Sequence, residues 1–576
     1  MAATIFYDGE CPFCNKYTAL LRLRDAVGPV ELVDVRRHPN IALNLQRAGF
    51  DLDKGMVLET DGKRYHGADA MNRIALLSNE RGPFNWINAR FFGKPWLARA
   101  LYPVLRAGRG ATLFALGHER IGKNPAAELS AFAVFAHAFG MYAFADSLYQ
   151  FFAGYSVPQT WAFGALGLYL LVRPRSPRIF CLLSALMLAQ EIAKAPVQSN
   201  HALLVTFALL AIAVAGVYVW LRGRSWLAFM EAFSPVGRLL LLTMYFFGVF
   251  HKINTGFLNP DVSCAVDLWK AMPSPLSSLD GLWWRQSMIY GTLLGEAIML
   301  VGLLFHRTRY VAVMLGIAFH SMLALSGYGF YLAFSTLTIA LHLLFLSPGA
   351  ATRITTARTW RLLQSRLHTR GGLIGIAAWA AGLIALTDLG QFTSVALLWL
   401  PWSVWLICLV GRHGRERRGE STVGPAIWSR SMALNLISAS FVLNGFLPFL
   451  GLKNAQAMAM FANLTYQEGR SNHLLWPGPQ WFGYMRDVVE PVGATKQIIL
   501  QVGNERFMPY YALLDFLERN EAQQVSFIRG ATLYENQNTV TLADDIHANL
   551  HPRWVRKWFH FRSFNSSESE ACERGH

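Results

Sequence analysis

The chain has 576 residues, 53% of them apolar and only 15% charged, against roughly 25% charged in soluble domains. A single soluble core is excluded, because the apolar residues form long runs in the middle while both ends carry ordinary charge. The net charge of +16 does not indicate nucleic acid either. The basic residues sit in short loops between apolar runs: Arg173, Arg175 and Arg178; Arg222 and Arg224; Arg307 and Arg309; Arg353 through Arg370; Arg412 through Arg418. That is the pattern of loops retained in the cytoplasm.

In chain order, residues 1–80 read as a small α/β unit. Strands are expected at Thr4–Tyr7, Val30–Val35, Met56–Thr60 and Lys63–His66, the last two joined across Asp61-Gly62. Helices are expected at Cys14–Arg24, Ile41–Ala48 and Ala68–Leu77. Residues 81–128 are basic and aromatic, and read as an amphipathic connector at a membrane surface. Eleven apolar segments follow, near 131–153, 157–172, 179–193, 201–221, 236–252, 286–305, 310–327, 329–346, 373–390, 393–411 and 432–450. A spanning helix needs about 20 apolar residues, and some of these are short, so nine to eleven spans are expected. Residues 451–565 read as an α+β region with strands at Gln497–Val502, Gln524–Arg529 and Thr539–Leu542 and a helix at Tyr510–Arg519; 566–576 read as a disordered tail.

Placing the Arg-rich loops in the cytoplasm puts the N-terminal module there too. The loops at 194–200 and 253–285 and the C-terminal region then face the other side of a cell membrane. Six cysteines are too few to scaffold a chain this long, and no early apolar stretch marks a secretory signal.

Cys11 and Cys14 lie between a strand and a helix. A thiol at a helix N-terminus meets the positive end of the dipole and unpaired amides, which favour the thiolate. Pro12 suits the first turn, where its missing N–H costs little. Cys11 is expected as the attacking thiol and Cys14 as the resolving one. No second cysteine pair completes a zinc site, so no metal is expected. Asp8-Gly9-Glu10-Cys11-Pro12-Phe13-Cys14, with Gly67-Ala68-Asp69-Ala70 and Arg73, resembles the DCC family of thiol-disulfide oxidoreductases over residues 1–120. The resemblance implies a thioredoxin-like fold and a redox-active cysteine pair. One departure stands out: no proline precedes Met56–Thr60, where thioredoxins place a cis-proline.

Ionisable residues in apolar segments are costly and mark functional sites. His201 opens one such segment, His251-Lys252-Ile253-Asn254 closes the next, and His320 and His342 lie within two others. Lys252 and His201 fall at matching depth. A desolvated lysine there is a candidate general base, although a lysine at a helix end also snorkels to the interface. Phe246 through Asn254, Asn200-His201 and Phe319-His320-Ser321-Met322 resemble the vitamin-K-dependent γ-carboxylase family, the horizontally transferred transmembrane domain, over roughly 130–480, with the transmembrane domain itself expected at 121–450. The resemblance implies that Lys252 deprotonates a reduced, vitamin-K-like, lipid-soluble quinone and that His201 serves addition of CO2 to a peptide or protein glutamate. Met460-Phe461-Ala462-Asn463 and Gly469-Arg470-Ser471-Asn472-His473 resemble a later stretch of that family. His251, Asn254, His320, Arg470 and His473 are the implied substrate contacts.

The expected architecture is a polytopic α-helical membrane protein with an N-terminal thioredoxin-like domain and a small C-terminal α+β region. The expected function is quinol-dependent epoxidation or carboxylation coupled to a thiol module. Two alternatives stand: a thiol-disulfide oxidoreductase whose membrane domain is a scaffold, or a non-catalytic transporter or immunity-type membrane protein.

Overall fold

The computed structural model describes the chain apart from residues 1–2, 21–29, 53–54, 78–82, 116–120, 122–124, 153–157, 196–199, 223–225, 327–328, 417–425, 460, 468–469, 479, 493–506, 521–522, 557, 560, 562, 564–571 and 573–576. It divides into two compact units, Met1–Leu129 and Ser130–His576.

The first unit is built on a four-stranded sheet of order β2-β1-β3-β4, with β1 Ala3–Tyr7, β2 Val30–Asp34, β3 Val57–Thr60 and β4 Lys63–His66. β1 and β2 run parallel, and the crossover between them carries α1 (Pro12–Leu20). β3 is antiparallel to both β1 and β4. Alternation along β1 sends Ala3 and Ile5 to one face, against Ala70 and Ile74 of α3 (Ala68–Leu77). Phe6 goes to the other face, against Ala42 and Leu45 of α2 (Pro39–Arg47). This three-layer order is consistent with a thioredoxin-like fold. The stretch read as a connector forms α4 (Pro83–Phe92) and α5 (Pro95–Ala115), which pack on α3. Asn85, Asn88, Ala98 and Arg109 are buried there, while Trp86, Trp96 and Val104 are exposed, so the two helices are amphipathic, with one face on the unit.

The second unit is largely helical. Its apolar helices are α6 Pro125–Phe152, α7 Pro158–Val172, α8 Pro177–Lys194, α9 Asn200–Leu221, α10 Phe229–His251, α11 Leu282–Leu304, α12 His306–Leu323, α13 Gly329–Leu343, α14 Arg370–Asp388, α15 Phe392–His413 and α16 Met432–Leu450. They occupy the eleven segments expected from the sequence. Among the described residues seven are long and apolar enough to cross a membrane, or eight if Tyr331–Leu343 and Pro348–Thr356, bent by 113°, form one broken span. Several apolar helices are thus suited to a bilayer, against the nine to eleven expected. Two reasons separate the others: α7 has 15 residues, at about 1.5 Å per residue too short for the roughly 30 Å hydrocarbon layer, while α8 and α12 have 18 but carry charged residues, Arg178, Glu191 and Lys194 in one and Arg307 and Arg309 in the other.

After α16 the chain forms a second sheet of order β8-β7-β5-β6 from β5 Val488–Val492, β6 Met508–Pro509, β7 Val525–Arg529 and β8 Thr532–Gln537. The helix α17 (Tyr510–Arg519) buries Leu513, Leu514 and Leu517 against Val489, Val525 and Phe527. The strand expected at Thr539–Leu542 is a turn. The Asn538 side chain accepts from the amides of Val540 and Thr541 at 2.9 and 3.0 Å and bends the chain there. The strand expected at Gln497–Val502 lies outside the described residues. So does most of the expected tail, except Cys572, which forms a disulfide with Cys264.

Candidate functional site

In the first unit, Asp8 follows β1, opens the turn that leads to Cys11 and organises the cysteine loop. Its carboxylate accepts from Arg36 Nε at 2.8 Å, Arg109 Nη2 at 2.9 Å and the Glu10 amide at 3.1 Å. Burial opposes its charge, but Arg36 and Arg109 outweigh that and hold its carboxyl below the usual range. Gly9 follows because the Asp34 carboxylate lies against it. A β-carbon at Gly9 would meet Asp34 Oδ2 at 2.1 Å, and the Gly9 amide donates to Asp34 Oδ1 at 3.0 Å.

Cys11 then stands just before α1, with its sulfur accepting the Cys14 amide at 3.2 Å. The Cys14 thiol donates to Cys11, the Cys14 amide adds to this, and Arg109 lies close. Against burial, these bring Cys11 down to about 6. The bond to Cys11 together with burial drives Cys14 well up. Both cysteines are free thiols and both are buried. Beside them opens a pocket of about 420 Å³, lined by Cys14, Met56, Met71, Phe92, Tyr102 and Arg109 among others. Gly55 and Met56 stand on it where a thioredoxin carries its cis-proline. Arg109 carried no sequence signal, since it is one of several arginines in a basic stretch.

In the second unit, Lys252 caps the C-terminus of α10. Its ammonium donates to both carboxylate oxygens of Glu296 in α11, at 2.7 and 2.6 Å, and Lys252 is only 6% exposed. It therefore points inward rather than snorkelling. The pair lines a cavity of about 130 Å³ with Leu204, Tyr245, Phe257, His320 and Tyr331. Behind it, the Tyr245 hydroxyl lies 2.8 Å from His320 Nε2 and 3.1 Å from His342 Nε2. His342 Nδ1 faces the Thr338 carbonyl at 2.7 Å, so Nδ1 carries the proton and Nε2 accepts from Tyr245. His320 Nε2 must then donate to the same hydroxyl. The ring of His342 fits because Gly316 opposite has no side chain; a β-carbon there would lie 2.0 Å from Nε2.

The expected site residues divide between two roles. Lys252 and His320 share the cavity. The backbone of His201 opens α9 one turn before the cavity-lining Leu204, and its side chain lies outside the described residues, as does that of Arg470. His251, Asn254 and His473 do not line the cavity and are bonded within the scaffold. His251 Nε2 donates to the Gly445 carbonyl at 3.1 Å and His473 Nε2 to the Phe250 carbonyl at 2.7 Å. The Asn254 amide donates to His251 O and Ala462 O and its oxygen accepts from the Phe257 amide. Together they tie the end of α10 to the 462–473 stretch and hold Lys252 in place. Glu296 was missed by the sequence reading, although it is the acidic residue of an otherwise apolar helix and that rule alone finds it. Lys453, also missed, is buried with its ammonium on Asn444 Oδ1 at 2.7 Å, and burial pushes it down to about 7. Among the described residues no group of three His, Cys, Asp or Glu side chains is placed to hold a metal ion.

No curated protein and no solved structure matches the chain. Residues 5–114 match the DCC1-like thiol-disulfide oxidoreductase family. That range begins in β1, contains both cysteines and Asp8, and ends after Arg109 in α5, so the groups that build the dithiol site all fall inside it. The chain carries an N-terminal DCC1-like thiol-disulfide oxidoreductase domain, followed by a helical, apolar region.

Proposed function

We propose that the protein is a multi-pass membrane enzyme whose N-terminal dithiol performs thiol-disulfide exchange. The observation that carries this reading is the geometry of the dithiol: the Cys11 sulfur accepts the Cys14 amide at 3.2 Å just before α1, beside a buried Arg109 that favours its thiolate. The test is reduction of a small disulfide by the full chain in detergent. Cys11→Ala and Cys14→Ala should each abolish turnover, and unchanged turnover in either would sink the reading.

A second reading is favoured by the buried Lys252–Glu296 pair in its apolar cavity. In it Lys252 passes its proton to Glu296 and then serves as a base toward the acidic hydroxyl of a lipid-soluble, vitamin-K-like reduced quinone, whose epoxidation by O2 would drive carboxylation of a peptide or protein glutamate by CO2. Glu296 sets the orientation of Lys252, and His201, in the first turn of α9, is the candidate for the CO2 step. Its test is quinol oxidation in vesicles, which Lys252→Ala should abolish while Cys11→Ala leaves a single turnover intact.

The sidedness proposed from the arginine-rich loops gains support from cysteine chemistry. Cys264 and Cys572 form a disulfide, whereas Cys11 and Cys14 are free thiols. Disulfides persist on an oxidising side of a cell membrane and thiols on the reducing side. We place the C-terminal region on the former and the N-terminal domain in the cytoplasm.

A further inference from the structure

The helices α4 and α5 each turn one face onto the first unit, and the other face is apolar and basic. Ile87, Phe91 and Lys94 stand one turn apart on α4, with Trp86 and Arg90 beside them, and all five are exposed. Trp96, Ala100 and Val104 follow the same spacing on α5, and Trp96 is 66% exposed. A contiguous apolar face of this kind marks an interaction surface. Its charge has one sign: residues 83–115 contain Arg90, Lys94, Arg99, Arg106 and Arg109 and no Asp or Glu. Arg109 is paired with Asp8 and Arg99 with Asp69 at 3.2 Å, while Arg90, Lys94 and Arg106 are exposed. A second copy of the chain on this face would set like charges against each other. Aromatic rings among basic residues suit the headgroup region of an anionic bilayer instead.

The mouth of the pocket beside Cys14 opens on the same face. Ile87, one turn from Phe91, and Val104, two turns from Trp96, both line that pocket, and so do the exposed Phe13 and Leu105. Resting on the multi-pass membrane reading above, we propose that the α4–α5 face docks the first unit on an anionic bilayer surface, with the mouth of its pocket against the lipid. The rings enter the headgroup boundary, and Arg90, Lys94 and Arg106 meet the anionic headgroups. An apolar ligand then enters the pocket, whose walls include Met56, Met71 and Phe92, without crossing water. A bilayer lies within reach: α5 ends at Ala115 and the first candidate span opens at Ala127, which allows about 40 Å of fully extended chain between them.

The test places the full chain in nanodiscs of phosphatidylcholine with and without phosphatidylserine. The probes are the same two lipids bearing a diazirine on the acyl chain near the headgroup, and the labelled residues are mapped by mass spectrometry. In anionic discs, peptides covering 83–106 and the rim residues Phe13 and Leu105 should take the label. High salt should weaken it several-fold. Arg90→Gln together with Lys94→Gln should cut it at least about fivefold, the surface attraction of roughly one basic residue. Trp96→Ser should lower it independently of charge. The lipid-facing helices α11 and α14 serve as the internal standard and should label equally in every variant. Absence of label on 83–106 in anionic discs, or label indifferent to salt and to the double change, overturns the proposal. Cross-links between two copies through 83–106 assign the face to self-association and overturn it as well. Absence of label on α11 and α14 overturns the membrane reading itself.

Discussion

Replacing Arg109 by methionine removes one buried positive charge from the dithiol while keeping the length of the side chain. Arg109 bonds Asp8 Oδ2 at 2.9 Å and the Leu52 carbonyl at 3.3 Å, so it is held in place. Cys11 falls from 9.0 to about 6, with the Cys14 contacts contributing first and Arg109 after them. Arg109 contributes after the Cys14 contacts, so its removal should raise the Cys11 midpoint from about 6 without returning it to the ordinary thiol value, and should lower the thiolate fraction at pH 7. The sign is fixed by the thiol: neutral below its midpoint, charged above it, so loss of the cation moves the transition upward. The assay is ultraviolet thiolate absorbance against pH, taken as the difference between each chain and its Cys11→Ser counterpart. This readout does not require a reagent to reach the buried sulfur. Arg109→Lys should fall between the two, because it keeps the charge but not the forked contact with Asp8. An unchanged midpoint in Arg109→Met, or an ordinary thiol midpoint in the parent chain, refutes the argument.

Three further outcomes follow from the second unit. Glu296→Gln strands the Lys252 charge in an apolar cavity and should destabilise the chain by about 3–5 kcal/mol. The double change with Lys252→Met should recover much of this in thermal unfolding in detergent, and equal losses in single and double variants would deny the pair its coupling. Gly316→Ala drives a β-carbon to 2.0 Å from His342 Nε2 and should cost about 1–3 kcal/mol. Gly291→Ala, where a β-carbon meets nothing within 4 Å, should be neutral or mildly stabilising by the same measurement. Cys264→Ser should make Cys572 open to thiol labelling without reductant and speed protease clipping of the C-terminal region. Identical clipping would show that the disulfide does not restrain it.

The local elements of the first unit were legible because each has a short-range cause. Alternation marks Ala3–Tyr7, Asp61-Gly62 marks the hairpin, and Pro12 marks the start of a helix. Arg109 was not legible, since nothing local distinguishes a buried arginine from its exposed neighbour Arg106. Only the packing of α5 onto α3 brings it 101 positions back to Asp8. In the second unit, apolar runs located the helices but not their usefulness as spans, which depends on where each helix breaks. Lys252 was found from its place at a helix end. Its partner Glu296, 44 positions on, depended on which faces of α10 and α11 meet. His251, Asn254 and His473 entered as site residues through the γ-carboxylase resemblance. Their hydrogen bonds join the end of α10 to the 462–473 stretch, a link between distant positions that no local pattern announces.

In the proposed function Cys11 and Cys14 act as one redox centre. The direct measurement is a redox titration of the full chain in glutathione buffers of graded potential, quenched with acid and read cysteine by cysteine by mass spectrometry. Cys11 and Cys14 should convert together in one two-electron step to a mutual disulfide, with the Cys264–Cys572 bond unchanged across the range. Separate glutathione adducts on Cys11 and Cys14, with no disulfide between them at any potential, would contradict the account.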